Sequence, residues 1–129
     1  MTTGRKKYIL FGVENYKKLI DRIIEEHQIE KDYFEIRTIL TEAITNAFKH
    51  GNKCNEKMPI YIHTRLDGHC FEMEIADTGK NKDTISIPKS ISEDNVMDSG
   101  GRGLFLIQSM ADMVVFENNI LVIRKRLTV

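Results

Sequence analysis

The chain has 129 residues, and its 19 Lys and Arg are balanced by 19 Asp and Glu, so the formal net charge is zero. That length suits one domain, residues 1–129, with a substantial core, and the charge balance gives no bulk electrostatic argument for a nucleic-acid partner. No apolar run approaches the roughly 20 residues needed to span a bilayer, no signal-peptide core follows the basic start, and Cys54 and Cys70 lack metal-ligand spacing, so reduced thiols and a cytoplasmic location are expected.

In chain order, the apolar run at 8–13 predicts a first strand. Over 14–27, Tyr16, Leu19, Ile20, Ile23 and Ile24 recur at helical spacing between charges, the pattern of an amphipathic helix. Asp32 is placed to N-cap a second helix, with Glu35 three residues on completing a capping pattern. This helix has an apolar side of Ile36, Ile39, Leu40, Ala43, Ile44 and Ala47 and a polar strip of Glu35, Thr38, Glu42 and Asn46, and Gly51 is expected to end it as a left-handed cap. A polar loop, 52–58, leads to two strands, 59–66 and 69–76, joined at Asp67-Gly68. Residues 78–101 lack periodicity and are rich in turn formers, as expected of a lid or binding loop. A helix of two to three turns follows Gly103, and two strands, 113–117 and 120–127, flank Asn118-Asn119. The order is not a simple βαβ alternation. It favours an α+β fold, a two-layer α/β sandwich with helices on one face of a mixed, mainly antiparallel sheet.

Three segments carry chemistry. Glu42 and Asn46 are four apart and share one helix face, where a carboxylate and a carboxamide can orient a nucleophile and hold a hard metal ion. Asp77-Thr78-Gly79 closes a strand with a carboxylate able to accept a ligand's amino group. Gly100-Gly101-Arg102-Gly103 opens a helix, where backbone N–H groups and the helix field favour phosphate; the Gly-Lys-Ser/Thr ending of a Walker loop is absent. Taken singly, each also fits a plainer reading: a solvated helix face, a turn starter, a flexible hinge.

Together, and in this order, the segments resemble the GHKL (histidine-kinase-like) ATPases, and among them the small bacterial anti-sigma factor serine kinases. Glu42, Asn46-Ala47 and His50-Gly51 match that family's N box; Ile75 to Gly79 match the first half of its G1 box; Arg102 to Ile107, with Met110-Ala111-Asp112, match its G2 box and the following helix. The resemblance implies a Bergerat-type ATP-binding fold with ATP and Mg²⁺ as cofactors, Asn46 as the metal ligand, Asp77 as acceptor for the adenine amino group, and Gly79 as the point of close approach. It implies that Gly101, Arg102, Gly103 and Leu104 cover the phosphates at the end of a lid, about 78–101, and that Lys49 or His50 offsets phosphate charge. Glu42 would be the general base for a serine hydroxyl on an anti-anti-sigma protein, with a sigma factor as a second partner and a homodimer as the assembly. Two positions depart from the pattern: Asn81 stands where G1 usually has a second glycine, and the final hairpin reads Asn118-Asn119-Ile120-Leu121 where a Gly-Thr pair is common. Those departures motivate the alternative, a nucleotide-sensing binding module with little or no phosphotransfer.

Overall fold

Period-2 burial along the strands sets the architecture. The computed structural model describes residues 3–78 and 99–128, the side chains of Thr3 and of residues 99–102 excepted. It contains β1 (Thr3–Phe11), α1 (Tyr16–His27), α2 (Tyr33–Asn46), β2 (Pro59–Asp67), β3 (Cys70–Ala76), α3 (Ser99–Met110), β4 (Met113–Glu117) and β5 (Ile120–Arg126). The strands lie in the order β1-β2-β3-β5-β4, and each adjacent pair is antiparallel. The fold is therefore α+β as expected, and the sheet is wholly antiparallel across these strands rather than mixed.

One row across the sheet shows how the layers meet. Tyr8, Ile62, Ile75, Leu121 and Phe116 are register partners in succession, and all five point into the core or pack against it. From the other layer come Ile20, Ile23 and Ile24 of α1, Ile36, Ile39, Leu40 and Ile44 of α2, and Ile107 of α3. Truncating any one of these fully buried aliphatic side chains to Ala costs about 2–5 kcal/mol. The helices thus cover a single face of the sheet. Among the described residues, no helix is long and apolar enough to cross a membrane.

β1 begins at Thr3, five residues before the apolar run. It lies at one end of the sheet, so its first half needs no second buried face, and Arg5 pairs across the sheet with Glu74. Gln28, in the left-handed region at φ 56°, ends α1. Both hairpin turns form where expected, with Gly68 at φ 64° and Asn118 and Asn119 at 53° and 64°.

Asp32 does not cap α2 through its side chain. Its carboxylate instead accepts the Thr128 N–H at 3.0 and 3.2 Å and the Thr128 hydroxyl at 2.8 Å. The partner Glu35 expected in a capping box pairs with Lys125, whose ammonium also donates to the Met110 carbonyl at 2.9 Å. A charged bond to the end of the chain replaces a local one to the helix.

Between α1 and the sheet sits a small polar cluster. The Tyr8 hydroxyl donates to Glu26 at 2.5 Å; burial and that bond push its pKa up to about 12, and the same bond holds Glu26 below its ordinary value. His27 is 1% exposed. Its Nε2 lies 2.7 Å from the Thr64 hydroxyl, its ring packs edge-on to Phe71, and burial holds its pKa below the ordinary histidine value.

Candidate functional site

The site is assembled at the C-terminal end of α2. Glu42 and Asn46 project one turn apart, as helical spacing requires, and both are partly buried. α3 closes on them through Gly103. A Cβ on Gly103 would stand 2.9 Å from both Glu42 Oε2 and Asn46 Nδ2, closer than real Cβ contacts run. The glycine is therefore what lets the N-terminal part of α3 approach the carboxylate and the amide together. α3 starts at Ser99, so Gly100, Gly101 and Gly103, expected to open the helix from outside, lie within it.

After Asn46 the helix widens into one π turn, Ala47–Gly51, closed by the Asn52 N–H to the Ala47 carbonyl at 2.8 Å. π turns are rare and recur at functional sites. This one corrects the expected role of Gly51, which is not left-handed. A Cβ there would fall 2.1 Å from Asp77 Cγ and Oδ2. Gly51 makes room for the Asp77 carboxylate, and positive φ is taken up later, by Lys53 and Cys54.

Between these two close approaches lies a narrow recess, with a cavity volume of only about 20 Å³, lined by Ala43, Asn46, Ala47, Ile75, Asp77, Leu104, Phe116 and Leu121. Its walls are apolar, and its polar groups are the Asn46 amide at one side and the Asp77 carboxylate at the other. An apolar slot with a few convergent polar groups is how small-ligand sites are built. Leu121 and Phe116 occupy the wall that the final hairpin supplies, so no hydroxyl enters from that side. On its other flank Glu42 borders a shallow groove with Tyr16, Phe34, Arg37, Thr38 and Thr41, where Phe34 is 81% exposed.

The structure thus brings together Glu42, Asn46, Asp77, Gly103 and Leu104. Lys49 is exposed on the π turn and His50 is partly buried there; neither lines the recess. The His50 Nε2 is enclosed with no hydrogen-bond partner among the described residues. Gly101 and Arg102 belong to the first turn of α3, and the Arg102 side chain lies outside the described residues. So do Gly79, Asn81 and the body of the expected 78–101 lid.

One residue is invisible to motif reading. Asn52 is 1% exposed and bonds to three segments around the site, yet in the sequence it is one more polar residue in a loop without periodicity.

The sequence pattern of the histidine kinase-like ATPase domain matches residues 15–125. The chain is 27% identical over 82 residues to the anti-sigma F factor of Anoxybacillus flavithermus, covering 62% of this chain and 56% of that protein. It is 31% identical over 86 residues to the serine-protein kinase RsbW of Listeria innocua, covering 62% and 55%. With the anti-sigma F factor of Priestia megaterium, identity is 30% over 103 residues, 73% of this chain and 69% of the relative. The matched stretch spans little more than half the length of the first two relatives.

Proposed function

The chain belongs to the histidine kinase-like ATPase family, in its anti-sigma factor kinase branch, and from that premise we propose that it binds ATP and transfers the terminal phosphoryl group to a serine of a partner protein. The observation that carries this reading is the contact of Gly103 with Glu42 and Asn46 at the head of an apolar recess that holds Asp77.

In this reading the recess between Ile75, Leu104 and Leu121 widens to admit the edge of the adenine ring, and Asp77 accepts its amino group. Gly79 admits the base to the backbone. The N-terminal part of α3, with Gly101, Arg102, Gly103 and Leu104, covers the phosphates, and Lys49 and His50 are the basic side chains carried by the neighbouring π turn. Mg²⁺ fits the donor set: it takes one or two protein oxygens and completes its shell with phosphate oxygens and water, and the Asn46 amide offers one such oxygen beside a carboxylate. Bound there, the ion would neutralise charge that develops on the phosphates. Glu42 faces the nucleotide on one side and the open groove of Phe34 and Arg37 on the other, so a hydroxyl arriving along the groove meets the carboxylate first. Glu42 orients that hydroxyl and takes its proton as the oxygen attacks phosphorus and ADP leaves. Positioning and charge stabilisation dominate such transfers, so a strong base is not required.

The relatives named as anti-sigma factors and serine kinases point to an anti-anti-sigma protein as phosphoacceptor and a sigma factor as second partner. Ile9 and Phe11, more than half exposed on the sheet face away from the helices, give a homodimer its surface. The apolar Leu121 and Phe116 in the base-binding wall favour, as a second reading, a nucleotide sensor with little transfer.

Titration with ATP, with and without Mg²⁺, tests the proposal in wild-type, Asn46→Ala and Glu42→Ala proteins. Mg²⁺-dependent affinity is expected to vanish in Asn46→Ala. Glu42→Ala is expected to keep ATP binding while transfer to an anti-anti-sigma substrate falls about 10²–10⁴-fold, the usual contribution of a general base. Wild-type protein that binds no ATP would overturn the reading; binding without transfer would favour the sensor.

A further inference from the structure

Asn52 sits where three segments meet. Its Nδ2 donates to the carbonyls of Met58 at 3.1 Å and Pro59 at 3.2 Å. Its Oδ1 accepts the Thr78 N–H at 2.9 Å and lies 3.5 Å from the Thr78 hydroxyl, which itself donates to the Pro59 carbonyl at 3.1 Å. Its own N–H closes the π turn on Ala47 at 2.8 Å. One buried residue therefore joins, through its backbone N–H, the π turn after α2 and, through its side-chain amide, the start of β2 and the residue that follows Asp77.

Those bonds hold the residue next to Asp77. On one side the carboxylate is hemmed in by the backbone of Gly51, where not even a methyl group would fit. Immediately after it, Thr78 is held by Asn52. Among the described residues lining the recess, Asp77 is the one ionisable side chain, and Phe116 and Leu121 bring no polar side chain to it. Discrimination between bases then rests on where this carboxylate points. Adenine presents an amino donor at the position where guanine presents a carbonyl, and a fixed carboxylate accepts from the first and repels the second. A carboxylate free to swing away loses that distinction while the apolar slot still accepts either ring.

We propose that Asn52 is a positioning residue for base selection: by clamping Thr78 to the end of α2 and the start of β2, it aims Asp77 and sets preference for adenine over guanine nucleotides. The inference rests on the nucleotide reading above. It reaches past a general packing role, because the side-chain amide bonds only the start of β2 and Thr78, whereas the bond that closes the π turn is made by the backbone N–H, which Asn52→Ala keeps.

The test is calorimetric titration of wild-type, Asn52→Ala and Thr78→Ala proteins with ATP, GTP and inorganic tripolyphosphate, each with Mg²⁺, alongside thermal melts. A hydrogen bond to a charged group sets the scale, so the ATP-to-GTP affinity ratio is expected to fall about tenfold in Asn52→Ala and about threefold in Thr78→Ala, which keeps the backbone donor. Affinity for tripolyphosphate is expected to stay at the wild-type value. An unchanged ratio in folded Asn52→Ala overturns the inference, as does an equal loss for ATP and tripolyphosphate. If Asn52→Ala does not fold, Thr78→Ala decides by the same criteria. Wild-type protein that binds tripolyphosphate but no ATP, or neither, overturns the nucleotide reading itself and this inference with it.

Discussion

Replacing Gly51 by Ala adds one methyl group at the most crowded point of the site. The backbone at Gly51 is not left-handed, so alanine meets no torsional penalty there, and helix propensity alone would favour it by up to about 1 kcal/mol. Steric contact decides the outcome. The new Cβ falls 2.1 Å from Asp77 Cγ and Oδ2 and 2.6 Å from Asp77 Cβ, against a practical minimum of 3.0 Å, so the carboxylate must retreat by about 0.9 Å. A hydrogen bond of ordinary length, stretched by that much, passes beyond about 3.5 Å and ceases to be one. A bond to a charged acceptor contributes about 1.5–3 kcal/mol, so ATP affinity is expected to drop roughly tenfold to a hundredfold. Stability should change little or fall by up to about 2 kcal/mol, as overpacking offsets the propensity gain. Isothermal titration with ATP measures the first quantity and urea denaturation the second. A folded Gly51→Ala protein with wild-type ATP affinity would refute the claim that Asp77 contacts the base.

Asp32→Ala removes the carboxylate that receives both donors of Thr128; a loss of about 1–3 kcal/mol is expected in chemical denaturation, with ATP affinity unchanged. The pH dependence of stability follows from His27. Burial lowers its pKa first, and Lys6 adds to the shift against the opposing pull of Glu26. The folded state therefore holds a neutral ring where the unfolded chain takes up a proton. The unfolded state then binds more protons, so stability is complete above about pH 6.5 and declines as pH falls below it. Burial lowers His63 as well, and it acts in the same direction. Thermal melts from pH 7.5 to 5 should show the decline, and His27→Gln should flatten it in part; an identical slope in that variant would exclude His27 as a source.

Periodicity makes most of the fold legible in the sequence. Ile20, Ile23 and Ile24 predict the buried face of α1, and Phe71, Met73 and Ile75 predict the inward face of β3, because each signal needs only local spacing. Asp67-Gly68 and Asn118-Asn119 predict their turns because few residues tolerate the required φ. The capping expected of Asp32 fails because a charged group is taken by whichever donors come closest in space, and Thr128 lies 96 positions away. Gly51 and Gly103 look like a helix stop and a hinge in the sequence. In the fold their meaning is spatial, since each marks where a second element passes too close for a side chain. Asn52 has no signature at all, for its three partners come together only after β2 and β3 have paired. Glu42 and Asn46 were legible because their partnership is internal to one helix.

The bond between Asp32 and Thr128 fixes one further property. It fastens Thr128 beside the first turn of α2, whereas Asn46 ends that helix. Fourteen residues at 1.5 Å each put about 20 Å between the two ends. A fluorophore or surface tether attached at position 128 is thus held at the remote end of a rigid rod from the recess. Paired with an acceptor dye on a nucleotide, such a label becomes a molecular ruler of nearly constant length, and immobilisation through this end leaves the recess open to solution.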